Sequence, residues 1–166
     1  MSRARSLLVI ALVGFVAVAG WMYAQPQAAT VLSAQDAHDI EQLYATMYQG
    51  SDFRNKELWL STFAEDGVFV FPTGDEVAGK QALGAWRETS FGGEVGDSGR
   101  RHGFTSIRMT ASPDGGATAT AYWIELDVKQ RPSAIKNTGT AEDTFVKTAD
   151  GWKFKRHIVK VDGFGK

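Results

Sequence analysis

No cysteine occurs among the 166 residues, so a disulfide framework and a thiol nucleophile are both excluded. Histidine is scarce: His38, His102 and His157 stand far apart without ligand spacing, and the acids are scattered, so no metal site is indicated. Neither sign of charge dominates. The 18 Lys and Arg and the 19 Asp and Glu give a formal net charge of −1. No basic stripe with interleaved aromatics marks a nucleic-acid footprint, so no nucleic-acid partner is expected. A phosphate-cradling glycine loop would follow a strand, whereas Gly92-Gly93 and Gly96 follow a helical segment. No nucleophilic-serine motif and no internal repeat are apparent. If there is a reaction, these absences leave acid/base chemistry without a cofactor.

Of what is present, the first 29 residues speak earliest. Arg3 and Arg5 form a short basic region, and no further charge appears until Asp36. Ser6–Ala24 is apolar apart from its first residue. A cleaved export signal has an apolar region of about 7–15 residues and a spanning helix about 17–25, and this run lies between those ranges. Small residues suited to cleavage stand at Ala24, Ala28 and Ala29, and Gln25-Pro26 ends any helix. Residues 1–29 therefore read as a cleaved signal or as a retained membrane anchor through residues 6–24. Either way the folded part is expected outside the cytoplasm, periplasmic or secreted. Residues 30–166 suffice for one domain, whose stability must come from packing, to which five tryptophans contribute.

Ser33-Ala-Gln-Asp36 has capping-box spacing, with Leu32 placed for a hydrophobic staple. Ile40, Leu43, Tyr44, Met47 and Tyr48 then form one apolar helical stripe, and Gly50 is a natural stop. A short second helix carries Leu58, Trp59, Thr62 and Phe63. Val68–Phe71 reads as a strand, and a third helix over 80–89 presents Ala82, Leu83 and Trp86. From His102 the period changes to two, with strands over 104–110, 117–128, 140–147 and 152–161. Pro113-Asp-Gly-Gly116 and Ala149-Asp-Gly151 supply hairpin turns. This order predicts an α+β fold: three N-terminal helices packed on a strongly curved antiparallel sheet, a cone-shaped α+β barrel. Its open end would hold a small hydrophobic molecule. One sheet face left uncovered by three helices predicts a homodimer.

The run Asp39-Ile-Glu-Gln-Leu-Tyr44 is followed by Gly50-Ser-Asp52 and by Phe63-Ala-Glu-Asp-Gly-Val-Phe69. Gly79-Lys-Gln-Ala82 and Thr144–Arg156 continue in the same order. Over residues 33–162 this resembles the SnoaL-like group of the nuclear transport factor two-like superfamily. Proteins of that kind include polyketide cyclases, ketosteroid isomerases, scytalone and bile-acid dehydratases, epoxide hydrolases, lyases releasing formaldehyde from lignin dimers, and plain binding modules, so the resemblance implies a fold more than an activity.

Tyr44, Tyr48 and Asp52 are spaced i, i+4 and i+8 and share one helical face if the helix runs that far. A carboxylate beside phenols in an apolar cone is a candidate base; alternatively Gly50 ends the helix and Asp52 caps the next one. The resemblance implies a working acid at Asp52 and an acid/base histidine near His102, which otherwise reads as a surface residue beside Arg100 and Arg101. Tyr48 stands one residue from the tyrosine of the bile-acid dehydratases, and Tyr44 or Tyr48 would stabilise an oxyanion. On the long strand Trp123 and Glu125 share a face, making Glu125 a candidate partner of His102. Trp59, Trp86 and Trp123 are expected around the ligand. Arg156 would orient a substrate oxygen or pair with Glu125 or Asp143, and the alternation of the last strand puts His157 outside.

Two functions fit: a cofactor-independent lyase or isomerase acting on a hydrophobic cyclic or aromatic molecule, or a non-catalytic periplasmic binding or assembly module. No residue of 1–29 belongs to the core stripe that begins at Ile40, so deleting Met1–Ala29 should leave a soluble, folded product in the cytoplasm. Recovery of the truncated chain only from inclusion bodies would contradict an autonomous domain.

Overall fold

Ser33 starts the first helix as expected: its hydroxyl accepts the Asp36 backbone N–H at 3.0 Å. In the computed structural model, which describes residues 31–93 and 95–164, that helix is α1 (Ala34–Asp52). The short α2 (Lys56–Leu60) follows, then β1 (Phe63–Val70), β2 (Glu76–Ala78) and α3 (Lys80–Phe91). Four long strands complete the order: β3 (Arg100–Ala111), β4 (Ala117–Asp127), β5 (Ala134–Thr148) and β6 (Gly151–Val161). The expected export segment lies outside the described residues. Among those described, no helix is long and apolar enough to cross a membrane.

The α+β class holds, with three differences from the sequence reading. The third helix follows two strands, so the helices do not all precede the sheet. Thr62 and Phe63 leave the second helix, and Phe63 opens β1. The sheet is mixed and open, in the order β2-β1-β6-β5-β4-β3, rather than an antiparallel barrel. β3 through β6 form the predicted meander, but β1 lies parallel to β6, with Phe63 opposite Phe154 and Val70 opposite Ile158. A parallel pair needs a long crossover, here supplied by everything between the two strands. Nothing in the short apolar run 68–71 reveals that direction.

The core sits between α1 and the inward residues of the sheet. Tyr44 stacks on Phe104 at 5.1 Å and meets Phe145 and Phe154 edge-on at 5.8 and 5.2 Å. Ala117, Ala119, Ala121 and Trp123 alternate inward along β4. The alternation fails in β6. Phe154 pairs with Phe145 but Arg156 pairs with Thr144, so Lys155 is an extra residue, a bulge. Trp152 and Phe154 face the core before it, and His157 faces the core after it.

Gly139 of β5 fixes how closely β4 and β6 approach. A Cβ there would lie 1.9 Å from the Lys160 carbonyl oxygen and 2.9 Å from the Trp123 indole. That indole N–H reaches the Thr140 and Lys160 carbonyls, both at 3.2 Å. Gly139→Ala must therefore move backbone, and overpacking of this kind costs about 1–3 kcal/mol. A denaturant melt should show that loss, and an unchanged midpoint would refute the close approach.

Candidate active site

α1 does not stop at Gly50. A Cβ on Gly50 would stand 2.7 Å from the Trp59 backbone nitrogen, so the glycine serves the packing of α2 and the helix continues to Asp52. Tyr44, Tyr48 and Asp52 consequently share one face. Asp52 does not cap α2; Asn55 does, its Oδ1 accepting the Leu58 N–H at 3.0 Å. The Asp52 carboxylate, 4% exposed, is spent entirely on His102. Oδ2 accepts the His102 backbone N–H at 3.0 Å, and Oδ1 lies 2.6 Å from Nδ1. The loop before β3 is tied to the same helix end, since Ser98 N–H donates to the Asp52 carbonyl and Gly96 N–H to that of Phe53, at 2.9 and 2.8 Å. A carboxylate only accepts, so the His102 proton sits on Nδ1. Nε2 is the nitrogen left to meet a ligand.

A second network lies deeper. Tyr44 donates its hydroxyl to Asp143 Oδ2, and Asp143 Oδ1 faces His157 Nδ1 at 2.5 Å. His157 Nε2 is 2.9 Å from the Tyr48 hydroxyl. Asp143 and His157 have fully buried side chains. Burial, reinforced by the Asp143 charge, holds both phenols well above the usual tyrosine range. The Tyr48 ring also leans on His102, with centroids 5.1 Å apart, so the two networks meet there.

They meet at a cavity of about 190 Å³ lined by Tyr48, His102, Trp59, Trp86, Trp123 and Arg87, with Phe69, Phe71 and Glu125 also contributing. All three tryptophans line this cavity. Tyr44 is not at this cavity; it lines a larger one of about 500 Å³ together with Tyr48, Asp52 and His102, and its hydroxyl is committed to Asp143. Glu125 stands opposite His102 in the β3–β4 register but is not its partner. Its Oε2 accepts from Asn137 Nδ2 at 2.6 Å, and Oε1 is 3.2 Å from Arg100 Nε. Arg156 is away from the site, on the surface in a two-pronged ion pair with Glu76, because the β6 bulge turns it outward. The same bulge brings in His157, which simple alternation assigns to solvent. Among the described residues no group of three or more His, Asp or Glu could hold a metal ion.

Sequence reasoning missed three residues. Asp143 was readable, since Ala141, Asp143 and Phe145 alternate inward on β5. Arg87 stands four residues after Leu83 on the buried side of α3, where a charge was easy to assign to solvent. His157 had no signal without the bulge.

A pH dependence follows from the two phenols. Unfolded tyrosines ionise near pH 10, whereas Tyr44 and Tyr48 stay protonated in the fold beyond it. Their contribution is complete below about pH 10 and is lost as pH rises further, at about 1.4 kcal/mol per pH unit for each group. Denaturant melts between pH 8 and 11 should show this slope, and Tyr44→Phe and Tyr48→Phe should each reduce it. The chain has four tyrosines, and more than two of them ionised in the native protein at pH 10 by ultraviolet absorbance would contradict it.

The arrangement has relatives. No curated protein matches the chain. Among solved structures, a protein of unknown function with a cystatin-like fold from Nostoc punctiforme is 22% identical, with a TM-score of 0.70 over 81% of this chain and 97% of that one. A protein from Catenulispora acidiphila in complex with S-DNPA is 24% identical, with a TM-score of 0.65 over 78% and 96% of the two chains. A scytalone dehydratase by provisional assignment, from Novosphingobium aromaticivorans, gives 23% identity and a TM-score of 0.63 over 76% and 83%. At these identities the likeness is one of fold. The family model for the SnoaL-like domain matches residues 33–157, and the chain belongs to that family.

Proposed function

We propose that this protein is a cofactor-independent lyase or isomerase that moves protons on a small hydrophobic cyclic or aromatic molecule. The observation that carries the reading is the Asp52–His102 pair, whose imidazole lines the cavity, with Nδ1 held by the carboxylate and Nε2 unengaged. An imidazole oriented in this way is equipped for general acid/base catalysis. Nε2 takes a proton from a carbon next to a carbonyl, and the C–H electron pair moves into the enolate. For a dehydratase the enolate then expels the β-hydroxyl, which leaves as water with the proton from the imidazolium. For an isomerase the same proton returns to a different carbon. Asp52 is the positioning residue and His102 the proton carrier.

Tyr48 supplies the oxyanion contact. As Asp52 does for His102, Asp143 holds the His157 proton on Nδ1, so Tyr48 donates to Nε2, and its hydroxyl turns to a ligand oxygen on which charge develops. Tyr44 acts one step removed, by holding Asp143. The basic and apolar start of the chain supports work outside the cytoplasm. The outer sheet face, where Tyr122 is 60% exposed beside Thr120 and Thr140, is the surface for pairing two copies.

Proton exchange tests the reading whatever the leaving group. Cyclic ketones incubated with the protein in D₂O should exchange their α-protons, followed by NMR. His102→Gln should slow exchange by about 10²–10⁴. Asp52→Asn should cost a similar factor with little change in melting temperature, and the double variant should lose no more than either single, because the pair acts as a unit. No exchange by the unaltered protein with any ketone of the panel would favour a binding module instead.

A further inference from the structure

Each buried carboxylate around the site faces a basic side chain: Asp52 faces His102, Asp143 faces His157, and Glu125 faces Arg100, although Glu125 Oε1 makes no hydrogen bond. Among the described residues around the site one cation is left without such a pairing. Arg87 lines the cavity with Tyr48 and His102, yet among the described residues it has no acidic partner, and its Nε is buried without any hydrogen-bond partner. Its guanidinium carbon lies 4.0 Å from the ring centroids of both Trp59 and Trp86 and 4.7 Å from that of Phe91. Those two indoles meet edge-on at 5.6 Å, so the cation sits in the angle between them.

Aromatic faces stabilise a guanidinium but accept none of its hydrogen bonds in the plane, where its donors point. Among the described residues no acceptor meets this fork of donors beside the cavity. Burial also lowers the Arg87 pKa to about 9. Its field is felt across the cavity, where it lowers the Tyr48 phenol against the larger upward effect of burial.

We propose that Arg87 is a ligand-binding residue selecting a small ring compound that carries a carboxylate, which completes the guanidinium fork while the ring lies against Trp86 and Phe71. This rests on the cavity assigned above and names the class of molecule that enters it. A carboxylate matches two parallel N–H donors, which a neutral amide cannot do with equal strength. The cavity, about 190 Å³, is smaller than the roughly 300 Å³ at which drug-sized sites begin, so the ring system is small. The acid group takes no part in the proton transfer. It fixes which carbon faces His102 Nε2, as remote binding groups do.

Benzoate and benzamide, nearly the same in shape and different in charge, provide the test. Binding is read by calorimetry and by the fluorescence of the tryptophans lining the cavity. Benzoate should bind at least 10-fold more tightly than benzamide. Arg87→Met should erase that preference while the amide still binds, and Arg87→Lys, which keeps charge but loses the fork, should keep only part of it. A thermal melt establishes that each variant is folded. His102→Gln should retain the full preference, so failure of acid/base chemistry and failure of the anion site give different results. Equal binding of acid and amide by the unaltered protein, no measurable binding of benzoate, or a preference that survives Arg87→Met would each overturn the proposal. A guanidinium that merely packs on tryptophan would affect stability and leave charge selectivity unmoved.

Discussion

Asp143 carries its carboxylate in the middle of the sheet, out of reach of water, and the pocket is arranged around how that group is satisfied. One oxygen takes the Tyr44 hydroxyl from α1 and the other faces His157 of β6. A buried carboxylate left without partners costs several kcal/mol, so helix and two strands are obliged to meet at one register. The position of Tyr48 follows, one helical turn beyond Tyr44, and His157 completes its hydrogen bonding. Asp52 follows another turn on, at the helix end where His102 is waiting. An error of one residue in helix or strand would leave an orphaned charge, which makes the arrangement specific as well as stable.

The sequence disclosed most of what is local. The Ser33 cap, the stripe from Ile40 to Tyr48, the two hairpin turns and the four long strands are all consequences of nearby residues, and they were legible. The face shared by Tyr44, Tyr48 and Asp52 was suggested by helical spacing, and a family resemblance singled out Asp52 and His102, while the choice between base and cap turned on Gly50. Read alone, a glycine near a helix end signals a stop; packed against Trp59, it permits continuation. The β6 bulge had a larger effect. One inserted residue, Lys155, reverses the inward and outward faces, so Arg156 and His157 exchanged the places that alternation gave them. The parallel pairing of β1 with β6 depends on contacts far apart in the chain, and no local signal carries it.

The site is built from two kinds of support. His102 is on a strand and is held by the end of a helix, with the preceding loop fastened to that same end. Trp59, Trp86 and Phe69 form an aromatic wall from three separate elements, meeting at centroid distances between 4.9 and 6.1 Å. Arg87 apart, polar groups thus sit on the α1–β3 side and apolar rings on the α3 side. A ligand entering between them meets hydrogen-bonding groups along one flank and rings along the other, which suits a molecule with distinct polar and apolar edges.

Trp59 belongs to both the wall and the foundation. It is 1% exposed, presses on Gly50, packs on Phe63 at 4.5 Å and faces Arg87. A substitution that reshapes the cavity through this residue also undoes the seat of α2 and the continuation of α1 that carries Asp52. Divergence toward other ligands is therefore channelled elsewhere. Phe71, Pro72 and Val159 line the same cavity without belonging to the fully buried core, so substitutions there reshape the cavity without undoing the fold.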